Sequence, residues 1–166
     1  MALETTGEAG LIACPRQHVL KDWIDYNGHL NVAFYSLLFD RSLDYFFDHL
    51  GIGEDYARSG VGSCFVLESH LGYLGEVVLD DPIDNTLHLI DFDTKRLHYF
   101  MEMRHGTEGY LAATCEQLSM HVDMRTRRSA PFPDAVLAEL EAVRDGQKDL
   151  PRPERVGAPI AIRRQA

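Results

Sequence analysis

The sequence predicts a single α+β domain in which an antiparallel sheet wraps around one long central helix. Apolar side chains occupy almost every face of the segment 32–50, so a helix there must be largely buried. From Cys64 onward the apolar pattern changes to a period of two, which indicates several strands. Because the apolar face of such strands must be covered, the simplest packing is a curved sheet around the helix.

The elements before and including the helix can be placed from local signals. A first strand over residues 11–19 is interrupted by Pro15, which belongs at a sheet edge or a bulge. Gly51 follows the helix where a left-handed C-terminal cap is expected, and either Asn27 or Asn31 can cap the helix start. The helix therefore has recognisable signals at both ends.

Strands account for the middle of the chain. Alternation from residue 67 to 74 predicts one strand, and strands over 86–92 and 96–103 are joined by a tight turn at 93–95. A long last strand is expected over 110–123. The strand edges that remain unpaired favour association with a second copy of the chain.

The domain is predicted to cover residues 11–144. It includes a C-terminal helix that opens at 131–134 and runs through Val143. Residues 1–10 are small and polar and are expected to form a flexible N-terminus. Residues 145–166 form a tail rich in Pro and Arg, which is expected to lie over the surface or to be mobile.

Composition and residue spacing exclude several classes of binding partner. The formal net charge of -10 leaves no basic excess to neutralise phosphates, so nucleic acid is not an expected partner. The three cysteines do not form a disulfide framework or a zinc knuckle, and the histidines lack metal-ligand spacing, so no metal is expected. No segment has the pattern of a signal peptide or the length of a membrane span. The sequence therefore predicts a cytoplasmic protein without a membrane partner.

The strongest chemical signal is the loop DYNGHLN, residues 25–31, directly before the long helix. Gly28 lets a ligand approach the backbone, and the free N–H groups of a first helical turn favour a developing negative charge. Asp25 lies just upstream, where a carboxylate can act as a base or a nucleophile. The alternative for Asp25 is a loop carboxylate that only caps the helix. We predict that the active site begins at this loop.

The order of these motifs resembles the hotdog-fold acyl-CoA thioesterases of the 4-hydroxybenzoyl-CoA thioesterase type. The resemblance covers about residues 17–133 and rests on the loop, on Leu50-Gly51, on the strand around Tyr73 and on Asp80-Asp81-Pro82. More narrowly, the chain is similar to the betainyl-CoA thioesterase branch of carnitine breakdown. The motifs that carry this likeness are Lys95-Arg96-Leu97-His98, Met103-Arg104-His105, Leu111-Ala112-Ala113-Thr114, His121-Val122-Asp123 and Ala130-Pro131-Phe132-Pro133.

The resemblance implies roles for individual residues. Asp25 would attack the thioester carbon or activate a water, and the backbone N–H of Val32 would bind the oxyanion. Glu68 is a second candidate acid, because other hotdog enzymes place a Glu at the site; a charge on the rim is the alternative. The predicted substrate-binding residues are Trp23, Tyr26, Asn27, Gly28, His29, Asn31 and Tyr35.

Two of these assignments have open alternatives. His29 can transfer protons near neutral pH or simply hydrogen-bond the loop. The aromatic residues around the loop can form a cage for the quaternary ammonium of a betainyl group, or they can pack in the core. The aromatic residues in question are Trp23, Tyr26, Phe34 and Tyr35.

Coenzyme A would enter as part of the substrate, so no separate cofactor is expected. Lys95, Arg96 and Arg104 are predicted to bind its phosphates, and a salt-bridged surface is the alternative. Further basic candidates are Arg125, Arg127 and Arg128. The resemblance also implies a homodimer or a dimer of dimers with active sites at the subunit interface.

Two other functions compete with a thioesterase of a short acyl-CoA. CoA-ester hydratases of the same fold carry an Asp-x-Asn-Pro-x-His loop, but this chain is one residue short between Asp25 and His29 and lacks the Pro. A non-catalytic acyl-CoA sensor would add a DNA-binding helical segment, whereas this chain adds a short acidic helix and a tail. The thioesterase is therefore the prediction.

Overall fold

A computed structural model describes residues 3–4 and 10–162, so most of the predicted flexible N-terminus lies outside the described residues. The elements are β1 (Ile12–Ala13), β2 (Gln17–His18), a 3-10 turn (Lys21–Trp23), α1 (Val32–His49), α2 (Glu54–Arg58), β3 (Gly62–Tyr73), β4 (Pro82–Phe92), β5 (Arg96–His105), β6 (Leu111–Asp123), β7 (Arg128–Ser129) and α3 (Asp134–Gln147). This arrangement confirms the predicted α+β hotdog domain.

The strands form one antiparallel sheet in the order β1-β4-β5-β6-β3. β2 also pairs with β4, and β7 pairs with β6. The predicted first strand is therefore two short pieces on either side of Pro15, as expected for a residue that cannot donate a ladder hydrogen bond. The twelve-residue strand β3 forms one edge of the sheet.

The helix α1 packs on the inner face of the sheet. Its buried side chains recur at three- and four-residue spacing, which places them on one stripe. They are Tyr35, Leu38, Phe39, Ser42, Leu43, Phe46 and Phe47. Asn31, and not Asn27, caps the helix start, and Gly51 takes the expected left-handed conformation at φ +73°. Both helix ends are thus fixed by local chemistry.

The C-terminal helix α3 runs to Gln147, four residues beyond the predicted end at Val143. The side chain of Gln147 is buried against β4, where its Oε1 accepts a hydrogen bond from the N–H of Leu89 at 2.9 Å and its Nε2 donates to the carbonyl of Leu87 at 3.3 Å. These bonds satisfy backbone groups beside the bulge of β4. A polar residue that reads as tail material in the sequence therefore joins α3 to the sheet.

The C-terminal tail, residues 148–162, crosses the outer face of the sheet. The N–H of Gly157 donates to Oε2 of Glu116 on β6 at 2.7 Å. Phe100 on β5 lies beside the segment 150–154 and is buried.

No helix within the described residues has the length and apolar composition needed to cross a bilayer.

Candidate active site

The loop 25–31 is a tight turn that holds Asp25 in place. The N–H of Asp25 donates to the carbonyl of His29 at 2.9 Å, and the N–H of Gly28 donates back to the carbonyl of Asp25 at 3.1 Å. Gly28 has a φ of +84°, a conformation that residues with a side chain rarely adopt. Oδ1 of Asp25 also accepts a hydrogen bond from the N–H of Asn27 at 2.7 Å. One carboxylate oxygen is therefore oriented by the turn.

The first turn of α1 lies next to this carboxylate. Oδ1 of Asn31 accepts from the N–H of Ala33 at 3.0 Å, and the N–H of Asn31 donates to the carbonyl of Trp23 at 2.9 Å. Within the described part of the chain, no group accepts a hydrogen bond from the N–H of Val32, and the side chain of Val32 is exposed. This N–H is thus open to a ligand at the positive end of the helix dipole.

An open cavity of about 330 Å³ brings the loop and the helix start together with the end of β3. The segment 74–77 is joined to the loop, because the N–H of Leu30 donates to the carbonyl of Val77 at 2.9 Å. The lining residues are Asp25, His29, Leu30, Val32, Tyr35, Tyr73, Leu74, Gly75 and Glu76. A cavity of this volume has room for a small acyl group with its thioester.

The residues that line the cavity carry negative charge. Asp25 and Glu76 are both in its lining, whereas neither Lys nor Arg is among the lining residues that the structure describes. Nε2 of His29 lies 3.2 Å from Oε2 of Glu76 and links the two loops. The cavity therefore favours a cationic or neutral ligand over an anionic one.

Two tyrosine rings form the apolar wall. The rings of Tyr35 and Tyr73 meet edge to face, with centroids 5.1 Å apart. Burial raises the pKa of both phenols, so they stay protonated and neutral near pH 7. The hydroxyl of Tyr35 donates to the carbonyl of Gly75 at 3.5 Å, which ties α1 to the segment after β3.

Comparison with known proteins identifies the family. Residues 19–140 match the model of the thioesterase-like superfamily. The chain belongs to the thioesterase-like superfamily. It is a thioester hydrolase, in agreement with the sequence prediction.

Individual relatives support this membership. The thioesterase-like chain is 38% identical over 144 residues to the betainyl-CoA thioesterase of Pseudomonas aeruginosa, covering 87% of this chain and 91% of that protein. It is 33% identical over 142 residues to L-carnitine dehydrogenase/betainyl-CoA thioesterase of Rhizobium meliloti, covering 86% of this chain but only 28% of that longer protein. The hypothetical protein SAV2348 of Staphylococcus aureus, solved in complex with CoA, superposes with a TM-score of 0.86 at 31% identity, covering 96% of this chain and 100% of that one.

Of the two alternatives for the aromatic residues around the loop, one chain of this thioesterase-like protein shows core packing for Trp23 and Phe34 and no cage of all four. Trp23 is only 7% exposed, stacks on Phe34 at 5.5 Å and is covered by the guanidinium of Arg41 at 5.1 Å. Tyr26 points away from the fold and is 97% exposed. Of the four aromatic residues, only Tyr35 lines the cavity, and Tyr73 from β3 stands opposite it. Tyr73 was missed as a site residue because β3 is brought to the loop by tertiary packing.

Glu68 lies away from Asp25 within one chain. From Glu68 onward the side chains of β3 alternate, so Glu68 is on the outer face and Tyr73 on the inner face. Glu68 lines a separate cavity of about 400 Å³ with His98 and Glu116, which lie 2.8 Å apart. The structure therefore does not join Glu68 to the loop of its own chain.

The predicted CoA-binding residues are divided between the two ends of β5. Arg104 lies at the end near the cavity, where it bonds Glu102 at 2.7 Å. Lys95 and Arg96 lie at the opposite end, roughly 27 Å away along an extended strand. Arg96 is paired with Asp93 at 2.6 Å. One chain alone therefore does not bring the three basic residues together.

Glu76 is a site residue that the sequence did not indicate. It follows β3 without any local motif, and the contact between the segment 74–77 and the loop 25–31 carries it to the cavity. Within residues 3–4 and 10–162, no group of three or more His, Cys, Asp or Glu side chains converges so that it could hold a metal ion.

Proposed function

We propose that the chain hydrolyses betainyl-CoA, a short cationic acyl-CoA, to betaine and CoA. One observation carries the proposal: the cavity joins a carboxylate to an open helix N-terminus and has an acidic lining without Lys or Arg among the described residues. The 38% identity to the betainyl-CoA thioesterase of Pseudomonas aeruginosa, over nearly the full length of both chains, supports this choice of acyl group.

In this proposal, the carbonyl oxygen of the thioester accepts a hydrogen bond from the N–H of Val32. As the tetrahedral intermediate forms, negative charge develops on that oxygen, and the helix N-terminus stabilises it without reorganisation. Val32 is the first residue of α1, and the cap from Asn31 to Ala33 holds the turn that presents its N–H. The oxyanion site is therefore built by the backbone.

Asp25 supplies the reactive carboxylate. Its Oδ1 is held by the N–H of Asn27, while Oδ2 has only a 3.5 Å contact with Nδ2 of the same residue. Oδ2 attacks the thioester carbon and expels the CoA thiolate, leaving an anhydride that water cleaves; alternatively, it takes a proton from a water that attacks directly. Either route consumes one water, returns Asp25 to its carboxylate form and yields a carboxylate, a thiol and one proton.

A homodimer paired through β3 completes the site in this proposal. β3 is a sheet edge and carries exposed apolar side chains in its first half, namely Phe65, Val66 and Leu67. Such an edge favours pairing with a second strand. Antiparallel pairing about the middle of β3 brings the Tyr73 end of one chain to the Phe65 end of the other.

That pairing also accounts for the divided basic residues. Phe65 and Arg96 both lie opposite Met120 on β6, so the hairpin 93–96 is at the Phe65 end of the sheet. The partner subunit's Lys95 and the partner subunit's Arg96 would then reach the cavity that contains Asp25. These cations suit the CoA phosphates, which extend out of the acidic acyl cavity. A dimer of dimers stays a prediction from the family resemblance.

A panel of esters tests the proposed function. Release of the CoA thiol would be followed with betainyl-, acetyl-, isobutyryl- and 4-hydroxybenzoyl-CoA at equal concentrations. We expect the highest kcat/KM with betainyl-CoA and little turnover of the 4-hydroxybenzoyl ester. Absence of CoA release from every ester would overturn the proposal, and preference for another acyl group would overturn the assigned substrate.

A further inference from the structure

We propose that Glu76 selects the cationic acyl group, with the rings of Tyr35 and Tyr73 as the wall against which that group lies. This inference rests on the proposed function, because it assigns the acyl-binding part of the same cavity. Glu76 lies beyond the end of β3, in a segment that contacts the loop of Asp25 and lines the same cavity.

Two hydrogen bonds hold the backbone at Glu76 and at the residue after it. The hydroxyl of Tyr110 donates to the carbonyl of Glu76 at 2.6 Å, and the carbonyl of the next residue, Val77, accepts the N–H of Leu30 at 2.9 Å. The contact of 3.2 Å between the Glu76 carboxylate and Nε2 of His29 directs the side chain toward the cavity. The side chain is nevertheless 73% exposed, so a ligand can reach its oxygens.

The substrate carries its positive charge close to the reaction centre, so a counter-charge in the same cavity would stabilise it. In a betainyl ester, one methylene separates the quaternary nitrogen from the carbonyl carbon, so the cation must lie in the cavity that holds the thioester. Asp25 loses its negative charge during the reaction, either to an acyl bond or to a proton. Glu76 takes no part in the bond changes and keeps its charge throughout.

The two tyrosines complete the recognition of a quaternary ammonium. A trimethylammonium group has no N–H to donate, so it is bound by the faces of aromatic rings and by nearby carboxylates. Tyr73 is half-exposed, so part of its ring surface is open to the cavity, and the buried ring of Tyr35 packs edge to face against it from α1. The chemistry on the cavity wall therefore matches a methylated cation.

A purely structural role for Glu76 makes a different prediction. If the carboxylate only held His29 and the loop, its loss would slow the hydrolysis of every acyl-CoA in the same proportion. A role in charge recognition lowers activity on the cation selectively. The ratio of kcat/KM for a cationic and a neutral ester of the same shape separates the two cases.

The matched pair is betainyl-CoA and 3,3-dimethylbutanoyl-CoA, in which a carbon replaces the quaternary nitrogen. We expect the wild-type protein to prefer betainyl-CoA and Glu76→Gln to lower that preference by about tenfold. Tyr73→Leu should lower the ratio as well, whereas Tyr73→Phe, which keeps the ring, should preserve it. Glu139→Gln is the control, because Glu139 also pairs with a histidine, His49 at 2.8 Å, but lies on α3.

The outcomes are distinguishable. A ratio that falls in Glu76→Gln and stays unchanged in Glu139→Gln supports the inference. If both esters are hydrolysed and Glu76→Gln leaves the ratio of their kcat/KM values unchanged, or lowers both values in the same proportion, this inference is overturned and the proposed function stays in place. Absence of CoA release from both esters in the wild-type protein would overturn the proposed function and this inference with it.

Discussion

Oδ1 of Asn31 accepts a hydrogen bond from the N–H of Ala33 at 3.0 Å, one residue beyond the N–H proposed to bind the oxyanion. Asn31 also anchors the loop, because its N–H donates to the carbonyl of Trp23 at 2.9 Å. The helix cap and the proposed catalytic donor are therefore parts of one turn, and a change to the cap should affect stability and catalysis together.

Asn31→Ala tests this coupling. Loss of the cap should lower the free energy of unfolding by about 1 kcal/mol, measured by urea denaturation, and should also lower kcat. Asn31→Ser is the matched control, since a serine hydroxyl can accept the same hydrogen bond. Equal behaviour of the alanine and serine variants in both measurements would argue against the cap as the link.

The local parts of the fold could be predicted from the sequence because their causes are local. Asn31 caps α1 through a residue two positions away, and Gly51 ends it through its own backbone conformation. The alternation that predicts a strand over residues 67–74 is present in β3, where Glu68 and Tyr73 lie on opposite faces. These features depend on spacing along the chain, which a sequence displays directly.

The cavity wall could not be predicted in the same way. Closeness in sequence to the loop suggested Trp23 and Tyr26, but Trp23 is stacked on Phe34 in the core and Tyr26 faces solvent. Tyr73 and Glu76 reach the cavity only through the pairing of the segment after β3 with the loop. Such long-range packing depends on the whole fold and leaves no local pattern.

The exposed edge of β3 gives a prediction about assembly. Leu67 is 46% exposed on this edge, and a lysine there should oppose strand pairing through charge repulsion and desolvation. Leu67→Lys should therefore shift the molar mass in light scattering toward a monomer and should lower thioesterase activity.

Leu20→Lys serves as the control for assembly, because Leu20 is similarly exposed, at 50%, but lies outside β3. It should retain the mass of the wild-type protein. A Leu67→Lys protein that keeps both its dimeric mass and its activity would rule out β3 as the interface that completes the site.

The cysteines predict a loss of stability in alkali. Burial raises the pKa of Cys14 to about 11 and the pKa of Cys64 and Cys115 to about 12. In the unfolded chain, thiols ionise at about 8.5. Above that pH the unfolded chain releases protons that the folded chain keeps, so the stabilisation present below pH ~8.5 is lost as the pH rises toward the folded values.

Urea denaturation between pH 8 and pH 10.5 measures this effect. The free energy of unfolding should fall, with each thiol contributing up to about 1.4 kcal/mol per pH unit. Cys64→Ala should show a shallower decline, because one of the three thiols is gone. A free energy of unfolding that is flat across this pH range would contradict the assignment.

The most direct test of the account is the rate of CoA release from betainyl-CoA by Asp25→Asn beside the wild-type protein. The asparagine Oδ1 can still accept the N–H of Asn27, so the variant removes the charge and keeps the turn. We predict that kcat falls by about 10²-fold or more while the urea midpoint stays unchanged. A folded Asp25→Asn protein that retains most of the wild-type rate would contradict the account, because the reactive carboxylate would then lie elsewhere.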